Sequence, residues 1–186
     1  MNAFYLDKMS KIIQLLDDNG DGVLTLDDFY AAADRVALAF GHAHGSSEHH
    51  LIRDAYTTIW DKTYAPMDSD RDNVLTFDEL VEAHQDTLYD PGIGYERFRP
   101  LAQAFLALAD GDGDGIISRE EFVRTMRHAF RLPEDEAHEA FGSLDETGGG
   151  RLTYDQIHRA ASGFFCTDDP DAYGAGLFGP VVPVRA

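Results

Sequence analysis

Residues 110–121 read DGDGDGIISREE, and this stretch decides the fold. Asp stands first, third and fifth, Gly sixth, an aliphatic residue eighth and Glu twelfth. Three more stretches align with it without gaps: DDNGDGVLTLDD at 17–28, DSDRDNVLTFDE at 68–79 and DETGGGRLTYDQ at 145–156. Each begins with Asp, has Gly or Asn sixth, and carries Leu24, Leu75, Ile117 or Leu152 eighth. Apolar residues at helical spacing flank every copy. Met9, Ile13 and Leu16 precede the first and Phe29, Ala33, Val36 and Phe40 follow it. The i, i+3/i+4 pattern predicts amphipathic helices. The unit is helix, twelve-residue acidic loop, helix, repeated four times, and the expected fold is all-α.

The loops are built to surround a hard cation. Ca²⁺ takes six to eight oxygens, supplied in such loops from positions 1, 3, 5, 7, 9 and 12, the seventh through a backbone carbonyl and the ninth often through water. In the third loop Asp110, Asp112 and Asp114 offer carboxylates, Gly115 turns the chain, Ile116 offers its carbonyl, Ser118 holds a water and Glu121 closes the site. This satisfies the full D-x-[DN]-x-[DN]-G-x₅-E pattern. The second loop offers Asp68, Asp70, Asp72, Val74 and Glu79, with Asn73 at the turn, where a left-handed backbone is tolerated better by Asn than by most residues. The first offers Asp17, Asn19, Asp21 and Val23 but closes with Asp28, one methylene shorter than Glu. Fewer reachable oxygens suit Mg²⁺, so weaker Ca²⁺ binding and Mg²⁺ competition are expected there. The fourth loop keeps Asp145 and Thr147, but Gly149 and Gln156 remove the remaining charge, and no binding is expected. Its place is to brace the third loop, Ile116–Ser118 pairing with Arg151–Thr153 as a short antiparallel contact.

The formal net charge of −19 argues against nucleic acid and anionic membranes, which require clustered basic residues. No apolar run approaches the roughly 18 residues of a membrane span, and the N-terminus shows neither a signal-peptide pattern nor a myristoylation Gly. A cytoplasmic monomer follows as the expectation. The single cysteine, Cys166, is expected as a buried, inert thiol. His42, His44, His49 and His50 fall in a Gly/Ser/His-rich connection and are expected to face solvent rather than hold a transition metal. No nucleophile motif points to an enzyme. A second break near Tyr89 divides the chain into residues 1–90, with the first two units, and 91–186, with the last two and an apolar tail expected to pack on the body.

These loops resemble EF-hands. Their number, the long gap between the first two and the tail DPDA…G…LFG resemble the sarcoplasmic calcium-binding and calerythrin-like proteins. The resemblance implies two paired lobes packed face to face, with one hand commonly silent. Few methionines and many Phe and Tyr favour a calcium buffer or closed-form signal protein. The alternatives are a sensor that opens onto a protein target, which calls for a Met-rich groove, and a carrier of a luciferin-type organic ligand, against which the single Trp60 counts.

Overall fold

The computed structural model describes residues 2–85, 92, 96 and 98–181. The expected lobe boundary near residue 90, and Val182 of the tail, lie outside the described residues. Among the described residues there are eight α-helices: α1 (Ala3–Leu16), α2 (Leu26–Ala39), α3 (Ser47–Ile59), α4 (Phe77–Gln85), α5 (Arg99–Ala109), α6 (Arg119–Phe130), α7 (Glu134–Leu144) and α8 (Tyr154–Phe165). Two short strands, β1 (Ile116–Ser118) and β2 (Arg151–Thr153), lie inside the third and fourth loops.

Three of the helices leaving a loop, α4, α6 and α8, start by the same local chemistry. Thr76, Ser118 and Thr153 are the ninth loop residues, and their hydroxyls accept the backbone N–H three positions on, from Glu79, Glu121 and Gln156. Those side chains reach back to the N–H of the ninth residue at 2.9–3.0 Å. This is a capping box, which satisfies two otherwise orphaned helix-end donors. One residue thus closes the loop and caps the helix, so loop and helix form together.

The units pair as the sequence implies. β1 and β2 run antiparallel with Ile116 opposite Thr153 and Ser118 opposite Arg151. In the first pair the contact shrinks to one bridge between Leu24 and Leu75. The two pairs then close on each other, α2 packing on α6 and α3 on α5. Phe29 meets Trp60 and Tyr64 at ring distances of 5.3 and 5.1 Å. His84 of α4 stacks on Phe98 and Phe165, which themselves lie 4.3 Å apart. Trp60–Tyr64 form a π-helical turn continuing α3, a distortion that apolar spacing did not announce.

The tail packs as expected. After α8 it runs through successive turns, and Ala175, Leu177 and Phe178 are buried. Phe178 packs edge-on against Phe130 and Phe164. Four side chains of the N-terminal segment hold this region by its carbonyls. Asn2 donates to Asp168 O at 2.8 Å, Tyr5 to Phe165 O at 3.3 Å and Lys11 to Pro180 O at 2.6 Å, while Lys8 Nζ donates to Phe164 O and, at 2.6 Å, to Thr167 O. Cys166, expected to be buried, is only partly so.

Candidate metal centres

The four loops share one backbone scaffold. The fourth and sixth residues of each take positive φ: Gly20 and Gly22, Arg71 and Asn73, Gly113 and Gly115, Gly148 and Gly150. Glycine adopts this region without steric cost. Asn73 confirms the turn expected of it, whereas the left-handed Arg71 was not foreseen.

The first residue of each loop organises this curl. Asp17 accepts from Gly20 N and Gly22 N at 2.7 and 2.8 Å, and Asp68 from Arg71 N and Asn73 N at the same distances. Asp110 accepts from Gly113 N and Asp114 N through Oδ1, and from Gly115 N through Oδ2, at 2.8–3.1 Å. The third and fifth residues each accept from the N–H two positions on: Asn19 from Asp21, Asp21 from Val23, Asp70 from Asp72, Asp72 from Val74, Asp112 from Asp114 and Asp114 from Ile116. A carboxylate has about four lone-pair sites, so each of these acids keeps acceptor capacity for a cation.

The loops differ in how far the acids converge. Oxygens of Asp68, Asp70 and Asp72 lie within 4.8 Å of one another, as do those of Asp110, Asp112 and Glu121. Among the described residues, the acids of the first loop form no such triple. There Asn19 turns its amide nitrogen to Asp21 at 2.8 Å. Asp28 is 2% exposed and spans the loop, Oδ1 accepting Asp18 N at 3.0 Å and Oδ2 the N–H and hydroxyl of Thr25 at 2.8 Å. Glu79 and Glu121 span their loops in the same way, from Ser69 N and Gly111 N to the ninth residue. The donor set is hard oxygen throughout, and it fits a cation of the calcium kind.

Electrostatics follow from these contacts. The N–H and hydroxyl of Thr76, with Ser69, hold Glu79 down at about 2. Burial acts to raise Glu121, but the hydrogen bonds of Ser118 and Gly111 outweigh it and the net shift is downward. Asp70 is shifted upward: the N–H of Asp72 favours its charge, and burial with the like charges of Asp72, Glu79 and Asp68 overrides that bond. That repulsion is what a bound cation would relieve.

In the fourth loop Asp145 still holds Gly149 N and Gly150 N at 3.1 and 2.7 Å. Gln156 occupies the closing position but aims its amide donor at Leu144 O, 3.4 Å away. The N–H of Glu146, whose counterparts elsewhere point to the closing carboxylate, turns to Leu144 O at 3.0 Å. The scaffold survives although Gly149 and Gln156 bring no carboxylate to it.

The EF hand family model matches residues 102–126, and the EF-hand domain pair model matches residues 2–35. The chain carries EF-hand units. It is similar to calerythrin of Saccharopolyspora erythraea, 26% identical over 87% of this chain and 92% of that protein. Clytin of Clytia gregaria is 28% identical over 98% and 91% of the two chains. The sarcoplasmic calcium-binding protein beta chain of Penaeus is 24% identical over 98% and 100%. Among solved structures, a Streptomyces coelicolor calcium-binding protein described in connection with prokaryotic calcium-mediated regulation superposes with a TM-score of 0.73. It is 29% identical, over 87% of this chain and 98% of that one. The recognition of an all-α, four-hand architecture of the calerythrin and sarcoplasmic type therefore holds.

Two residue groups escaped the sequence reading. The capping boxes were legible as Ser or Thr followed three residues later by Glu or Gln. His49 was not legible: it is 2% exposed, whereas the connection around it was expected to face solvent.

Proposed function

We propose that this chain is a cytoplasmic, monomeric calcium buffer or closed-form calcium signal protein, with working sites in the first three hands. Asp17, Asn19, Asp21, Val23 and Asp28 hold the first ion, Asp68, Asp70, Asp72, Val74 and Glu79 the second, and Asp110, Asp112, Asp114, Ile116 and Glu121 the third. Ca²⁺ neutralises carboxylates that otherwise repel one another. The first site is the weakest and the most open to Mg²⁺, because Asn19 removes a charge and Asp28 is one methylene shorter than the Glu that closes the other two.

The observation that carries the closed reading is the clasp of α1 on the tail through Lys8, Tyr5 and Lys11. An opening sensor must expose an adaptable apolar groove. Here Met9, Met67 and Met126 are all buried, and the tail fills the space beside Phe130 and Phe164. The apolar hollow between the lobes, lined by Phe29, Tyr56, Tyr64, Phe105 and Phe130 among others, speaks against an organic-ligand carrier. Only about 20 Å³ of it admits the centre of a water-sized sphere. That is room for one or two waters, against the roughly 300–1,000 Å³ of sites that enclose small molecules.

Calorimetric titration of the metal-free protein, alongside Asp17→Ala, Asp68→Ala and Asp110→Ala variants, tests the site assignment. Three Ca²⁺ in the parent, each variant losing its own, is the expected result. Retention of three by any variant removes that loop from the assignment. Strong Ca²⁺-dependent fluorescence of a hydrophobic dye would overturn the closed reading in favour of a sensor.

A further inference from the structure

The connection between the first two hands encloses a histidine. His49 lies in the first turn of α3, its N–H donating to Ser46 Oγ at 3.1 Å, and its ring is buried against α2. Nε2 is 2.8 Å from Asp34 Oδ1, and Nδ1 accepts Gly45 N–H at 3.2 Å. Arg53 Nη1 contacts Asp34 at 3.0 and 3.4 Å, with its guanidinium 3.9 Å over the Tyr30 ring. Exposed His44 lies against the buried ring at a centroid distance of 4.5 Å, the two planes tilted by 42°. One ligand atom each from Asp34, His44 and His49 lies within 4.8 Å of the others.

We propose that Asp34, His44 and His49 form a site for a transition cation of the Zn²⁺ class, separate from the four loops. Two imidazole nitrogens and one carboxylate suit Zn²⁺ and its neighbours, whereas Ca²⁺ wants oxygen throughout. Zn–N and Zn–O bonds of about 2.0–2.2 Å place tetrahedral ligand atoms roughly 3.3–3.5 Å apart. His44 must therefore close in by about 1 Å or slightly more from the present limit, while the 2.8 Å pair of His49 Nε2 and Asp34 Oδ1 opens slightly. The mobile member in that contraction is His44, between Gly41 and Gly45, which both have positive φ. The hydrogen bond between His49 and Asp34 alone accounts for the burial of His49. It does not account for a second imidazole held against the first at a solvent-facing edge, where the fourth coordination position stays open to water.

A cation on His49 Nε2 displaces the ring proton to Nδ1, and the long Gly45 contact is the one given up. Asp34 keeps an oxygen for Arg53, because its carboxylate has about four lone-pair sites. The site would tie the exiting helix of the first hand to the entering helix of the second and brace the first pair against opening.

The full chain, saturated with Ca²⁺ so that its loops are filled, is titrated with Zn²⁺ by calorimetry and with Co²⁺ by visible absorption. One tight cation per chain and four-coordinate Co²⁺ bands are expected. His44→Ala, at an exposed position that leaves the fold intact, should weaken uptake at least about tenfold, and Asp34→Asn should do the same. His138→Ala, exposed and far along the chain, should leave it unchanged. Absence of uptake by the parent overturns the proposal, as does equal uptake by the parent and His44→Ala. Zn²⁺ uptake that falls as Ca²⁺ is raised further would assign the metal to the loops and overturn it as well.

Discussion

Leu24 and Leu75 face each other across an antiparallel bridge, Leu24 N–H donating to Leu75 O at 2.9 Å and Leu75 N–H to Leu24 O at 2.8 Å. Both are fully buried. Each directly follows the residue whose carbonyl is proposed as a ligand, Val23 or Val74. A shift of one loop onto its ion is therefore passed through two hydrogen bonds to the other. Glu79→Gln should weaken the second site and also shift the affinity of the first by about fivefold or more, the lower end of typical coupling energies. Glu121→Gln should shift no second site in this way, since no ion is expected in the fourth loop paired with the third. Calorimetry in which the first-site isotherm of Glu79→Gln overlays that of the parent would break the link.

The fourth hand should be recoverable by two changes. Gly149→Asp restores the fifth-position carboxylate, and Gln156→Glu restores the closing one. A Cβ at Gly149 would stand 3.1 Å from Thr147 Oγ1, a contact relieved by a few tenths of an ångström at a flexible hydroxyl. Glu at 156 removes the amide donor aimed at Leu144 O and can accept Glu146 N–H as its counterparts accept theirs. Stoichiometry should rise from three Ca²⁺ to four. A double variant that still binds three would mean that more than missing ligands silences this loop.

Arg71 stands where the other three loops have Gly, with φ of 61°. The left-handed region costs a non-glycine residue about 1–2 kcal/mol. Arg71→Gly relieves this and gives back part of it, about 0.5–1 kcal/mol, through the greater freedom of glycine when unfolded. The metal-free variant should be more stable by up to about 1 kcal/mol in urea unfolding. Unchanged or lower stability would show that Arg71 is not strained.

These cases mark where the sequence could and could not be read. Asp110, Asp112, Asp114 and Glu121 were legible because loop chemistry is local and a fixed frame of twelve residues repeats it. The register of Ile116–Ser118 against Arg151–Thr153 followed from the same frame. The burial of His49 was not legible, since it depends on Asp34 and α2 arriving from elsewhere in the chain. The π turn at Trp60–Tyr64 answers to the packing of Trp60 and Tyr64 around Phe29, and no local spacing encodes it.

Lys8 gives the clasp a pH dependence. Burial lowers its pKa from 10.5 to about 8, against the opposing pull of Cys166 and Asp168. A base with a depressed folded-state value loses its proton first in the folded chain. Between about 8 and 10.5 the unfolded chain therefore binds more protons, and stability rises with pH, by at most about 1.4 kcal/mol per pH unit. Lys8→Met should flatten that part of the profile. Chemical unfolding of the Ca²⁺-saturated protein at stepped pH reads this directly, and equal slopes in the two proteins would count against a buried Lys8.

The tail's seat on α8 rests on a close approach of backbones that only glycine permits. A Cβ at Gly163 would stand 1.9 Å from Tyr173 O, and one at Gly174 2.2 Å from Ala160 O. Two opposite effects meet in Gly163→Ala. Within α8 alone the change favours the helix by about 1 kcal/mol. Against a docked tail it drives a methyl group into a carbonyl, and overpacking of this kind costs typically about 1–3 kcal/mol. The sign of the change thus reports whether the tail is seated. Net destabilisation in urea, with faster amide exchange at Ala175, Leu177 and Phe178, is expected, because backbone on backbone leaves no flexible side-chain end to yield. A variant more stable than the parent would mean that the tail leaves α8 at little cost. The closed reading, which depends on that segment filling the space beside Phe130 and Phe164, would then lose its main support.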